Sequence, residues 1–271
     1  MDPKLQRRVQ RYGWDKAAPY YERGWEAQLE PAQTALLRLA GLAQGQQVLD
    51  TACGTGLVTL RAAALIAPRG HIIGTDISEQ MMRTARDIAE AKGIGNVTFV
   101  RMDAEALGFD ESSFDVALCA LGLMYVPSPE KAVSELHRVL KAGGRAACAV
   151  WGQRSKCGWA QIFPIVDARV QSEVCPMFFR LGTGEALRQA FASAGFGEIS
   201  GERLETRLDY ASPAEACEAA FIGGPVALAY SRFTDETKSE VHREYLDSLA
   251  PYRNGNGYSV PGEFVIVAGI K

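Results

Sequence analysis

The chain has 271 residues, 47% hydrophobic and 23% charged, with a formal net charge of -3 and a pI near 5.8. That length can bury a full core and lies near the upper limit for a single one, so one domain with appended elements is expected. The acidic balance argues against nucleic acid as a partner, because phosphate backbones are bound by basic faces.

The N-terminal segment carries Lys4, Arg7, Arg8, Arg11 and Lys16, but Asp15, Glu22 and Glu26 are interspersed or follow, which reads as a solvated helix face. Aromatic residues share the segment: Tyr12, Trp14, Tyr20, Tyr21 and Trp25. No apolar run approaches the ~18 residues that a membrane span needs, and the start is too charged for a signal peptide. A cytoplasmic protein without a membrane partner is the expectation.

From Gln47 onward, apolar runs alternate with helical patterns, the signature of a parallel sheet covered on both faces. Strands are predicted near Gln47–Ala52, His71–Ile77, Val97–Asp103, Phe114–Ala120 and Arg145–Trp151, with helices at Leu57–Ile66, Ser78–Ala91 and Pro129–Lys141. Ser78 and Ser128 suit N-caps, Pro129 suits a first helical turn, and Gly93 and Gly143-Gly144 suit helix ends. Beyond Trp151 the rhythm changes. Gly158–Val170 and Gly184–Ala194 look helical, and Ile199–Leu208 alternates like a strand. Ser212 to Glu215 forms a capping box, Thr234 starts a helix running to Leu249, Tyr252–Gly257 is turn chemistry, and Glu263–Ile270 is a last strand.

The first predicted strand ends at Asp50 and runs into Thr51-Ala52-Cys53-Gly54-Thr55-Gly56, whose small residues let the backbone turn tightly against a ligand before a helix opens. The next strand ends at Asp76, placed to accept hydrogen bonds from a ribose diol. A Gly-x-Gly with an acid about 20 residues on also fits nicotinamide and flavin folds. Here, however, Thr59 stands where those folds expect a third glycine, and Asp50 puts a charge where they usually have none.

These residues resemble motifs I and II of the class I S-adenosylmethionine (SAM)-dependent methyltransferases. Val48 to Gly152 is similar to the small-molecule enzymes related to the ubiquinone/menaquinone C-methyltransferases, through Asp103-Ala104-Glu105-Ala106-Leu107, Phe109, Ser113-Phe114-Asp115, Pro127 and Leu136–Gly144. The resemblance implies an α/β fold: a Rossmann-like, doubly wound, seven-stranded, mainly parallel sheet with an antiparallel C-terminal strand. An N-terminal helical lid and a helical insertion after strand five complete it. Residues 1–45 would supply the N-terminal helices, 46–152 the SAM-binding core, and 153–271 the substrate-facing insertion and closing elements. Ala52 replaces the loop's usual first glycine, which requires its φ to stay negative.

The resemblance also distributes roles. Asp50 would face the methionyl ammonium directly or through water, Ala52, Cys53, Gly54, Thr55 and Gly56 would pass the ribose and amino acid, and Asp76 would hold both ribose hydroxyls. Asp103 and Ala104 would read adenine, Ile77, Met81 and Leu121 would sandwich it, and the Ala120 carbonyl would accept from the ammonium. Tyr21 would close the lid and reach the methionyl carboxylate, with simple packing of the helix on the core as the alternative. Tyr20, Trp25, Tyr125, Trp151, Trp159 and Phe163, with Phe178 and Phe179, would line an apolar substrate pocket.

Methyl transfer is an in-line displacement at an activated carbon, governed largely by alignment. No catalytic base is evident: His71 sits at the far end of its strand, and His137 and His242 sit on helices, leaving Tyr21 and Tyr125 as weak candidates. The six cysteines show neither CxxC nor Cys/His clustering, so no metal site is expected. The reading is transfer of a methyl group to a small organic acceptor, with a hydroxyl or carboxylate oxygen ahead of carbon, nitrogen or sulfur. Three rivals stay open: a nucleic-acid or protein methyltransferase, a nicotinamide oxidoreductase, and a non-catalytic SAM-binding protein. Oligomeric state is not legible.

Overall fold

The computed structural model describes residues 2–170, 175 and 177–271. Its first element is one helix, α1 (Pro3–Ala40), 38 residues long. Asp2 caps it, accepting from the Lys4 N–H, and Gly41 ends it in the left-handed conformation, its N–H donating to the Leu37 carbonyl. Pro19 and Pro31 lie inside the helix, where each removes a ladder donor. The chain nevertheless stays helical throughout, with a continuous face (Trp25, Leu29, Ala32, Leu36, Ala40) buried in the core. The helices expected over residues 1–45 are thus a single helix.

The sheet strands are β1 (Gln47–Thr51), β2 (His71–Asp76), β3 (Val97–Arg101), β4 (Phe114–Ala120), β5 (Leu140–Trp151), β6 (Gly197–Tyr210), β7 (Arg253–Asn254) and β8 (Gly257–Ile270). Seven run side by side in the order β3-β2-β1-β4-β5-β8-β6, and the two-residue β7 pairs with β8 as an eighth strand. The first five are parallel to one another, while β8 is antiparallel to both β5 and β6. The expected architecture is present, with β7 a small addition: the turn residues Tyr252–Gly257 close a tight hairpin, with Gly255 left-handed.

Helices α2 (Leu57–Ile66), α3 (Glu79–Ala91) and α4 (Pro129–Val139) cover the sheet. Ser78 caps α3 through its hydroxyl, which accepts from the Met81 N–H. Ser128 stands at the N-cap of α4 without a side-chain bond, and its N–H instead donates to the Glu105 carboxylate. Helix α4 stops two residues short of the expected Lys141, because the Ser112 and Ser113 N–H groups take the Arg138 and Val139 carbonyls. Gly143 therefore lies in the irregular start of β5, with φ +77°, and does not terminate a helix.

After β5 come a short 3₁₀ turn (Gly158–Gln161), α5 (Ile162–Asp167), α6 (Ala186–Ser193), α7 (Pro213–Cys217), α8 (Ala227–Tyr230) and α9 (Asp235–Leu249). The capping box at α7 is real but reaches one residue further back. Ser212 accepts from the Glu215 N–H, and the Glu215 carboxylate accepts from the Ala211 N–H. No helix among the described residues is long and apolar enough to cross a membrane.

Candidate active site

A cavity opens over the carboxyl ends of the five parallel strands, the position where open α/β sheets bind ligands. Each strand contributes the residues that follow it: Ala52 and Gly54 after β1, Asp76 and Ile77 after β2, Met102, Asp103 and Ala104 after β3, Leu121 and Gly122 after β4, and Trp151 at the end of β5. Helix α1 forms the roof. Arg7, Gln10, Trp14, Tyr21, Trp25 and Leu29 recur at helical spacing and all face the cavity.

The loop after β1 is held by its neighbours. The Cys53 N–H donates to the Thr75 carbonyl and the Gly56 N–H to the Cys53 carbonyl. Gly54 and Gly56 have φ of +56° and +90°, and the ring of Tyr21 would lie 3.7 Å from a methyl group at Gly54. Ala52 has φ +53°, against the negative φ expected from its side chain. The strand-to-loop turn demands this conformation of whatever residue stands there, and an alanine in it carries about 1–2 kcal/mol of strain. Leu121, just after the neighbouring strand β4, is also left-handed at φ +61°.

Asp50 and Asp76 end adjacent strands. Asp76 accepts from the Gly54 N–H (3.0 Å) and the Ser78 N–H (2.8 Å), leaving lone pairs free toward the cavity. Burial pushes its carboxyl up to about 6 against those donors, with the nearby Asp15 charge adding to the rise. Asp50 is fully buried behind the cavity wall, where Thr59 donates to Oδ2 at 2.6 Å while Oδ1 has no partner among the described residues. Its burial, only partly offset by Thr59, moves it up to about 7. An orphaned buried carboxylate oxygen calls for a donor, and a cation is the strongest available. Position 59, where dinucleotide folds expect glycine, is occupied by the residue that holds this acid.

At the β3 end, Asp103 accepts from the Glu105 N–H and pairs with Arg7 Nε at 2.8 Å. Arg7 also pairs with the buried Glu105, at 2.6 Å through Nη2. The roof is further pinned where Asp15 accepts from the Ser78 hydroxyl and the Gln80 N–H, and where Thr55 donates to Glu22. Tyr21 and Tyr125 flank Trp14 edge-on, with ring centroids 5.7 and 5.0 Å away. Burial raises both phenols above their ordinary value.

The structure brings Tyr21, Ala52, Gly54, Asp76, Ile77, Met81, Asp103, Ala104, Ala120 and Leu121 to the cavity wall, with Trp25, Tyr125, Trp151 and Trp159. Cys53, Thr55 and Gly56 support the loop from behind: the Cys53 sulfur sits over Gly74, Thr55 is buried toward α1, and Gly56 packs on Phe99. Four expected wall residues are elsewhere. Tyr20 turns outward, 39% exposed with Arg23 over its ring, and Phe163, Phe178 and Phe179 pack on one another and on Trp159 outside the cavity lining. Sequence reasoning missed Arg7, Gln10, Leu29, Met102, Gly122 and Pro225. The first three were legible only as extensions of the aromatic stripe toward both ends of the helix.

None of the three histidines lines the cavity. His71 bonds Thr98 on the neighbouring strand, His137 packs edge-on against Phe196, and His242 bonds the Tyr230 hydroxyl. Burial lowers the latter two below their ordinary value.

The sheet order, the antiparallel penultimate strand and the site at the strand ends are the architecture of the class I methyltransferases, and residues 48–144 match the family model described as a methyltransferase domain. A solved structure, the YcgJ protein of Bacillus subtilis, shares the fold with a TM-score of 0.63 at 20% identity, covering 89% of this chain and 98% of that one. By sequence the chain is similar to a demethylmenaquinone methyltransferase of Listeria welshimeri, 35% identical over 127 residues, 47% of this chain and 54% of that protein. It is also similar to a ubiquinone/menaquinone biosynthesis C-methyltransferase of Ectopseudomonas mendocina, 43% identical over 110 residues, 40% of this chain and 43% of that protein. The chain thus spans about half the length of the curated relatives it matches.

Proposed function

We propose that the protein is a SAM-dependent methyltransferase acting on a small, largely apolar acceptor. The observation that carries the reading is the pair of buried acids at the ends of β1 and β2, one with an oxygen awaiting a donor, on either side of a glycine-bearing loop that opens into an aromatic cavity. When bound, SAM supplies a methyl group on a sulfonium, already activated for displacement.

In this reading Asp76 receives the ribose hydroxyls, and Asp103 with the Ala104 N–H receives the adenine edge between Ile77, Met81 and Leu121. Asp50 and the Ala120 carbonyl compensate the methionyl ammonium, and Tyr21 closes the roof. The chain's own contribution to rate is alignment and exclusion of water, which for well-oriented reactants supplies up to roughly 7–11 kcal/mol. Without a histidine at the cavity, an acceptor that is nucleophilic with little help fits best, such as an acidic phenol or a carboxylate, methylated on oxygen.

The names of the relatives support a second reading, methylation of a ring carbon on a quinone precursor. Calorimetry with SAM and its demethylated product, against NAD(P), tests the cofactor. Heat with the nicotinamides alone removes the proposal. A screen of phenols, carboxylic acids, quinols, thiols and amines with labelled SAM, read by mass spectrometry, identifies the acceptor and the atom methylated. Binding without turnover on any acceptor favours a non-catalytic SAM-binding protein.

A further inference from the structure

All four tryptophans of the chain, Trp14, Trp25, Trp151 and Trp159, line the one cavity. Three of them form a cluster away from Asp76 and Asp103: Trp25 from the roof, Trp151 from the end of β5, and Trp159 from the insertion. Their ring centroids are 6.2 Å (Trp25–Trp151), 6.1 Å (Trp25–Trp159) and 4.8 Å (Trp151–Trp159) apart. Within it, the indole N–H groups of Trp25 and Trp159 are buried and have no hydrogen-bond partner among the described residues. An indole nitrogen is a donor only, and buried donors are nearly always satisfied. Two unsatisfied donors on side chains from separate elements that line one cavity point to a ligand whose acceptor atoms meet them.

We infer that the indole N–H groups of Trp25 and Trp159 recognise the methyl acceptor, selecting a flat apolar molecule that carries a hydrogen-bond-accepting oxygen and no positive charge. The inference rests on the methyltransferase reading and assigns the specificity of its acceptor subsite. Tryptophan faces also attract cations. The unpaired donors argue against one here, since a cation leaves both N–H groups unmet and adds repulsion between like dipole ends. Their two-sided origin has a further consequence. Trp25 belongs to α1 and Trp159 to the 3₁₀ turn after β5, so an acceptor bound to both bridges roof and wall.

With ¹⁵N-labelled full-length protein, the four indole N–H groups give four resolvable signals, assigned through Trp25→Phe and Trp159→Phe. Titration with 1-indanone, a carbonyl acceptor, is compared with indane, the same ring system without the oxygen, and with the N-methylquinolinium cation. The inference requires the Trp25 and Trp159 signals to move downfield with 1-indanone and not with indane. Each Phe variant lowers the ratio of 1-indanone to indane affinity by roughly two- to twelvefold, the loss of one neutral hydrogen bond. Equal shifts with both ketone and hydrocarbon, an unchanged affinity ratio in both variants, or preferential binding of the cation would overturn it. SAM affinity, measured by calorimetry on the same samples, reads the underlying assignment separately. Absence of SAM binding with the indole response intact removes the methyltransferase and leaves the subsite, whereas normal SAM binding with no indole response does the reverse.

Discussion

A methyl group on Gly122 would lie 2.4 Å from the Cβ of Ala52, closer than non-bonded carbons can approach. The two residues follow neighbouring strands β1 and β4 and meet at the floor of the cavity, so the left-handed turn at Ala52 and the missing side chain at position 122 form one steric unit. Gly122→Ala is expected to cost about 1–3 kcal/mol of stability, the usual range for overpacking. Ala52→Gly removes the left-handed strain and with it the opposing methyl, so the double variant Ala52→Gly/Gly122→Ala should recover most of the loss. Urea denaturation of the four proteins measures the coupling. Simple additivity would show that the contact is relieved elsewhere.

Much of this arrangement was legible in the sequence because it is local. Buried strands announce themselves as apolar runs, such as Val116–Ala120 in β4, and α2 and α9 have the ends their flanking residues announce. The acids at 50 and 76 are fixed by the strand ends they belong to. The conformation of Ala52 was not legible, since alanine gives no sign of a positive φ, and here the turn overrides the residue's own preference. Nor was the choice between Tyr20 and Tyr21. Successive helical residues differ by roughly 100° in direction, so only the docked orientation of α1 decides which ring enters the cavity. Arg7 meets Asp103 across nearly a hundred residues of chain, a pairing that no local pattern encodes.

Asp50 makes the free protein pH-sensitive. Its carboxyl rises from 3.8 to about 7, a proton-affinity difference worth at most roughly 4 kcal/mol. Between those values the folded state holds a proton that the unfolded state has lost, so stability falls as pH rises from about 4 to 7 and stays low above it. Asp50→Asn should flatten that part of the stability profile. A cation opposite Asp50 pulls its pKa down and expels the proton. Affinity for SAM is therefore expected to rise with pH up to about 7, by at most about tenfold per unit. Calorimetry in buffers of different ionisation enthalpy detects the released proton; heats independent of buffer at pH 6 would contradict the coupling of Asp50 to the ammonium.

Arg7 latches the first turns of α1 to the β3 end of the site through Asp103 and the almost wholly buried Glu105. Arg7→Met leaves the Glu105 carboxylate buried with the Ser128 N–H as its remaining hydrogen-bond donor among the described residues. Because the Arg7 side chain is 31% exposed, solvent screening reduces the penalty below that of a fully buried pair, to about 1–3 kcal/mol. The loss should fall on the roof, with faster amide exchange over residues 3–18 and an increased SAM dissociation rate, while exchange in β1 and β4 is unchanged. Uniform acceleration across the sheet would mean that Arg7 stabilises the whole domain and latches nothing.

Asp15 works on Asp76 at one remove. Its Oδ1 accepts from the Ser78 hydroxyl at 2.6 Å and the Gln80 N–H at 3.1 Å, and the Ser78 N–H in turn donates to Asp76. Its negative charge contributes to lifting Asp76 to about 6. Asp15→Asn keeps an oxygen for the two donors and removes the charge, so Asp76 should titrate lower and the acid limb of cofactor binding should move to lower pH. By the same sign rule, stability lost between about pH 4 and 6 through Asp76 is lost to a smaller extent in this variant. Asp15→Ala removes the acceptor as well, stranding two donors at the joint between α1 and α3 for about 1–3 kcal/mol. The two substitutions thus separate charge from contact: carbon-13 titration of the Asp76 carboxyl reports the first and thermal unfolding the second. An Asp76 titration that is the same in wild type and Asp15→Asn would leave Asp15 as a staple for the roof and no more.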